Sequence, residues 1–173
     1  MAEETVDIGC GGNKREGAVG VDHHPYPGVD IVADLDVTPW PLEDNRFSRV
    51  ICSHVIEHIG EPLAFLREVH RIAKPGALVE LDTPHFSSID SWTDPTHRWH
   101  LATIWYQELL PGAYLSEQVG AFELVSSRIT FGKSLRSLIP KAMIGMFGVS
   151  KWEKNYAFVY PARNIETVLK VLK

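Results

Sequence analysis

The stretch Val6-Asp7-Ile8-Gly9-Cys10-Gly11-Gly12-Asn13 decides how the rest of the chain is read. Thr5 to Ile8 is apolar apart from Asp7 and predicts a short buried β-strand. A turn of three glycines around Cys10 follows at once. A missing Cβ permits positive φ and lets a ligand come close to the main chain. The N–H groups of such a turn suit a carboxylate, a phosphate or a sugar edge. A tight strand-ending turn without a ligand has the same composition, so the turn alone does not choose.

The next acid shifts the balance. Gly20-Val21-Asp22 predicts a second short strand that ends in a carboxylate, with His23 beside it. An acid at the tip of the second strand is where an open α/β sheet holds ribose hydroxyls, outside the carboxyl ends of its strands. A carboxylate accepts two hydrogen bonds from a vicinal diol. NAD and S-adenosylmethionine both fit that description. The pyrophosphate fingerprint G-x-G-x-x-G needs a third glycine for helix–strand packing. Gly9 and Gly11 supply the first two, but Lys14 stands in the third place, which counts against a dinucleotide.

Composition sets outer bounds. The 173 residues predict one domain, residues 1–173, with room for a sizeable core. A content of 45% hydrophobic and 23% charged residues is that of an ordinary soluble globular chain. No run of eighteen apolar residues predicts a transmembrane segment. The acidic start, Met1-Ala2-Glu3-Glu4, has no apolar core of a signal peptide. Cys10 and Cys52 suggest no disulfide framework and suit a reducing, cytoplasmic setting. The net charge of −5 hides an asymmetry: residues 1–127 hold 20 acids against 8 bases, and residues 128–173 hold 2 acids against 9 bases. An acidic main body speaks against nucleic acid as a partner. The basic tail has three candidate partners: an acidic substrate, an anionic membrane, or the acidic half of a second chain. A solvated face is the plainest reading of it.

The first crossovers are short. Cys10 to Ala18 joins the first two strands, and only His23 to Gly28 separates the second from a third at Val29 to Asp34. A parallel crossover normally takes a dozen residues or more, usually with a helix. The first helices are therefore expected to be stunted or missing. This end of the sheet should then have one thinly covered face that presents an apolar patch, which makes a homodimer a reasonable expectation. Asp34-Leu35-Asp36 closes the third strand; there an acid can accept an adenine amino group while Leu35 packs on the ring. Phe47 to Ser53 predicts a fourth, central strand, followed by His54-Val55-Ile56-Glu57-His58. That His-x-x-Glu-His pattern is also the ligand pattern of inverted zinc peptidases. Gly60-Glu61-Pro62 interrupts any helix within a turn, so a polar strand tip is preferred, with Ser53 and His54 pointing into the ligand crevice. Pro62 opens the clearest helix, with Leu63, Leu66, Val69 and Ala73 at helical spacing and a stop at Lys74-Pro75-Gly76. Ala77 to Thr83 predicts the fifth strand. Alternation of this kind gives an α/β sheet.

Taken in order, these pieces resemble class I S-adenosylmethionine-dependent methyltransferases, especially the small-molecule type 11 group. The matching residues are Val6-Asp7-Ile8-Gly9-Cys10-Gly11, Val21-Asp22, Ala33-Asp34-Leu35, Ser53 to His58 and Arg67 to Gly76. The resemblance implies a Rossmann-like sheet of seven strands, mostly parallel, with the last strand antiparallel. It implies S-adenosylmethionine as cofactor, held by Gly9, Cys10 and Gly11 with Asp7 beneath. Asp22 would bind the ribose, Asp34 and Leu35 the adenine, and Ser53 and His54 the methionine side.

Residues 84–112 form a lid-like insert rich in aromatic and titratable groups, among them His85, Asp94, His97, Trp99 and His100. Aromatic walls exclude water and stabilise a sulfonium by cation–π attraction. Methyl transfer needs alignment and, for many acceptors, a base. His85 is the leading candidate because it follows the fifth strand; His97 is the second. Both also make sense as residues that cap turns or pack within the lid. Asp94, His97 and His100 are an open metal reading, although no metal is assigned. Phe122 to Phe131 predicts a sixth strand, Tyr156 to Tyr160 a seventh and Ile165 to Leu172 a last helix. Between the last two strands, the apolar and basic insert 132–155 predicts one or two helices that cover the sheet, pair with a second subunit or rest on a membrane surface through residues 133–151. The expectation is methyl transfer to an oxygen or nitrogen of a small-molecule or saccharide-like acceptor. The alternatives are a non-catalytic binding module with this fold and, behind it, a zinc-dependent hydrolase.

Overall fold

The computed structural model describes residues 4–173. Met1-Ala2-Glu3, part of the acidic start, lies outside the described residues. Thr5–Ile8 forms β1 and sits near the middle of a seven-stranded sheet. Val19–Asp22 (β2) and Phe47–Ser53 (β4) flank it in parallel, and Ile31–Val32 (β3) forms the edge beyond β2. Ala73–Pro84 (β5) pairs with β4 in parallel. Asn164–Val171 (β7) lies antiparallel between β5 and Phe122–Ile129 (β6). The order is therefore β3-β2-β1-β4-β5-β7-β6. This is the mostly parallel, Rossmann-like sheet with an antiparallel last strand.

Pro62–Ile72 forms α1, the first helix among the described residues. Its buried stripe, Phe65, Leu66, Val69 and Ile72, packs on Val6, Ile8, Val50, Cys52, Val79 and Leu81 of the sheet. Pro62 occupies the first turn, where its missing N–H costs nothing. Glu68 on this helix is buried, and its Oε2 accepts from the Trp40 N–H at 2.7 Å and from Arg71 Nη2 at 2.7 Å. That pair pins the loop between β3 and β4 onto the helix. The short crossover after β1 is held by hydrogen bonds in place of a helix: Asp7 accepts from the Arg15 N–H, and Asp30 accepts from Lys14 Nζ and the Gly20 N–H.

Asp90–Thr93 (α2), Thr103–Gln107 (α3) and Ser116–Val119 (α4) are short helices in the connection from β5 to β6. Between β6 and β7, Leu138–Phe147 (α5) and Val149–Asn155 (α6) build a second small core around Trp152, with Phe86, Phe131, Met143 and Phe147 against it. No described helix is long and apolar enough to cross a membrane.

Two expectations need correction. Tyr156 to Tyr160 is a run of turns after α6, not a strand, and it leaves Phe158 and Val159 exposed. The seventh strand is the segment expected to be the last helix. There Ile165, Thr167, Leu169 and Val171 are all buried, a period of two, and β-branched side chains favour that surface. Away from the β1–β2–β3 end where an apolar patch was expected, the open face over β4, β5, β7 and β6 is polar. Arg49 pairs with Glu80 at 2.7 Å, Lys170 with Glu123 at 3.3 Å, and Arg128 with Glu166. Ion pairs and the aliphatic stems of these side chains cover the strands that no helix covers.

Candidate functional site

A cleft of about 620 Å³ opens at the carboxyl ends of β1, β2 and β3. Gly9, Asp22, His23, Asp34 and Leu35 line one side of it, and His54, Val55, His58, Pro95, Thr96 and Arg98 line the other. The glycine turn forms its floor for a steric reason. Gly9 has φ +68°, and a Cβ there would lie 2.4 Å from Val55 Cγ2. Gly11, at φ +53°, turns its N–H onto Asp22 Oδ2 at 2.8 Å. Asp22 is 6% exposed, and its Oδ1 accepts from the His24 N–H at 2.9 Å. An ionised carboxylate has about four lone-pair positions; the two N–H groups take one on each oxygen and His23 Nδ1 lies 3.3 Å from Oδ1, which leaves Oδ2 with a position for a hydroxyl donor. Asp34 accepts from the Asp36 N–H through Oδ1, which leaves Oδ2 without that tie.

The opposite wall is made by the loop after β4 and residues 95–98. His54 sits at the strand tip with φ +56°. The Glu57 carboxylate beside it raises its pKa above the ordinary 6.5 against the effect of burial, and the Asp82 charge adds to the rise. Glu57 is buried, and its Oε2 accepts from Thr83 Oγ1 at 3.1 Å. Its carbonyl accepts from the N–H groups of Arg98 and Trp99, which draws the insert onto the loop. Trp99 Nε1 adds a hydrogen bond to the Ile59 carbonyl at 2.7 Å. The insert is thus tied down along the cleft.

Not every candidate is at the cleft. Asp7 is buried beneath the turn, and burial raises its pKa. Cys10 is buried as well, with its thiol pKa raised by burial. Ser53 faces the uncovered side of the sheet, beside Asp82 and Arg128, and not the cleft. His85, expected as the leading base, is 0% exposed. Its Nε2 lies 3.1 Å from Glu153 Oε1 and its Nδ1 2.8 Å from Ser87 Oγ, so it ties β5 to α6 and does not line the cleft. His97 stands behind the rim, edge-on to His58. His100 stacks on Trp92 at 3.6 Å, and Asp94 holds Thr96, so Asp94, His97 and His100 do not converge. Val55, His58, Thr96 and Arg98 were not among the expected site residues. The signal for His58 lies in His-x-x-Glu-His, whose loop after the strand tip carries the second histidine back to the cleft.

A family model described as "Methyltransferase domain" matches residues 2–118. The chain belongs to this family of class I, S-adenosylmethionine-dependent methyltransferases. Among curated proteins, the family member is 29% identical over 102 residues to a ubiquinone biosynthesis O-methyltransferase of Pseudoalteromonas translucida. That match spans 47% of this chain and less than half, 43%, of the relative. Among solved structures, a methyltransferase of Archaeoglobus fulgidus superposes with a TM-score of 0.65 at 19% identity, covering 98% of this chain and 86% of that one. A methyltransferase solved with the Haloferax volcanii Trm112 activator gives 0.64 at 16% identity, covering 99% and 85%. At these identities the structures show a shared fold. The family's cofactor is S-adenosylmethionine. The cleft fits it by two observations: the floor excludes any Cβ at Gly9, and Asp22 is a buried carboxylate with acceptor capacity left over.

Proposed function

We propose that this methyltransferase, as a single domain over residues 1–173, moves a methyl group from S-adenosylmethionine to an oxygen or nitrogen of a small-molecule or saccharide-like acceptor. One observation carries the reading: the Gly9 turn, Asp22 and Asp34 share a single cleft at three successive strand tips. In this reading Asp22 takes the ribose hydroxyls, and Asp34 and Leu35 take the adenine. The main chain at Gly9 lies under the ribose and methionine. The cofactor supplies a methyl group activated by positive sulfur. The protein has to align the acceptor with that methyl and receive a proton where the acceptor carries one. His54 is the proton acceptor we assign, because it lines the cleft and its neighbouring carboxylates favour the protonated ring; Nε2 takes the proton once it is released by the Asn164 amide, whose Nδ2 lies 3.1 Å away. The O-methyltransferase name of the curated relative supports oxygen over nitrogen.

Calorimetry with S-adenosylmethionine and its demethylated product tests the seat. Binding of neither at millimolar concentration would refute the reading. The outer surface supports a further element, contact with a second copy through the insert and the turns after it. Leu135, Leu138, Met146 and Phe158 are each more than half exposed there. A cytoplasmic setting is part of the same proposal, since both cysteines are free and buried.

A further inference from the structure

We infer that Glu57, His58 and His97 form a binding site for one divalent transition-metal ion at the rim of the cofactor cleft. Each of the three offers a ligand atom, and these atoms lie within 4.8 Å of one another. The hydrogen bonds around them fix which atoms are free. Thr96 Oγ1 donates its one proton to Asp94 Oδ1 at 2.6 Å. The 2.9 Å contact between that oxygen and His58 Nδ1 must then be donated by the ring. His97 Nδ1 lies 3.1 Å from the Ser91 carbonyl, which only accepts, so there too the ring donates. Both imidazoles are thereby held as Nδ1–H tautomers with an Nε2 lone pair unused. An outer hydrogen bond of this kind is what orients metal-binding histidines and raises their basicity.

The third group adds an independent observation. Glu57 is 1% exposed, and its Oε1 has no hydrogen-bond partner. His54 Nδ1 lies 3.2 Å from that oxygen without the alignment of a hydrogen bond. A buried carboxylate oxygen that accepts no hydrogen bond and meets only the misaligned His54 ring is costly, and a cation bound closer than that ring is a direct remedy. Two imidazoles and one carboxylate suit zinc, iron(II) or cobalt(II), with coordination positions left open. His58 and Thr96 also line the cleft, so the site borders the space where an acceptor binds if the methyl-transfer reading holds.

The test uses protein purified without a histidine tag and stripped with chelator. Cobalt(II) is added and followed by visible absorption, and zinc(II) is titrated by calorimetry. One equivalent of each is expected to bind. His97→Ala and His58→Ala should each weaken zinc binding by at least about tenfold. His100→Ala, outside the cluster, should stay within about twofold of the parent, a margin of under 0.5 kcal/mol. Circular dichroism melting of each variant identifies any that fail to fold, and for those Thr96→Val, which removes the hydroxyl that orients His58, takes their place with the same expected loss. Absence of stoichiometric binding overturns the inference, as does binding that folded His58 and His97 variants leave unchanged. Calorimetry with the demethylated cofactor product, run on metal-free protein, separates the two readings. Metal binding without cofactor binding would sink the methyl-transfer proposal alone.

Discussion

Asp22 shows how little side chain the cleft needs. Two main-chain N–H groups hold its carboxylate in place before any ligand arrives. A charge-assisted hydrogen bond contributes about 1.5–3 kcal/mol, so Asp22→Ala is expected to weaken S-adenosylmethionine binding by about 10- to 100-fold in calorimetry. Gly9 is the second test at this scale. Gly9→Ala meets both a positive φ and the Val55 methyl, a cost of about 1–3 kcal/mol that thermal melting should register. Adding Val55→Ala should recover only the part due to the clash. His54→Ala should lower kcat by about 10²- to 10⁴-fold while the affinity for the demethylated product changes little. Gly9, Asp22 and Asp34 were legible as residues of one cleft because strand tips and glycine turns are local features. His85 was misplaced for the opposite reason. Its burial comes from α6, and no local pattern announces that Glu153 will reach back 68 positions to meet it.

At the scale of elements, the contact of β5 with α6 rests on that buried carboxylate. Glu153 Oε1 accepts from His85 Nε2, the Thr103 N–H and Thr103 Oγ1. Burial works to raise its pKa, but the hydrogen bonds from His85 and Thr103 outweigh it and hold the carboxyl below the ordinary 4.5. Its contribution is therefore complete above that ordinary value and is lost as pH falls through the lowered folded-state value. Urea midpoints measured from pH 7 down to pH 3 should fall more steeply for the parent than for Glu153→Gln. Glu153→Ala should cost about 3 kcal/mol at neutral pH. The same scale shows where sequence reading stops. The helix over 62–72 was legible because its apolar stripe has one period and a proline start. The β7 segment was not, because Ile165, Leu169 and Leu172 also fit a helical stripe. Only the antiparallel slot between β5 and β6 decides for the period of two.

The whole molecule has two unlike halves around one sheet. One face carries α1 and the main core, and the other is paved with ion pairs. Exposed apolar side chains gather elsewhere, at Leu135, Leu138, Met146 and Phe158 beside a basic segment. Light scattering at micromolar concentration should therefore show a dimer, and Leu138→Glu with Met146→Glu should return a monomer that still binds cofactor. Co-sedimentation with anionic vesicles tests the other occupant of that surface: the parent chain should stay in the supernatant. The position of β7 also governs how the molecule comes into being on the ribosome. Asn164 Nδ2 donates to Asp82 across 82 positions of sequence. At about 5–20 residues per second, β5 waits roughly 4 to 16 seconds after its synthesis for the strand that will cover its edge. During that interval Ala77, Val79 and Leu81 belong to an open template that a neighbouring nascent chain can join. A translation product stalled before Asn164 should accordingly be cut by protease along residues 73–84, and should depend on a chaperone to stay dispersed.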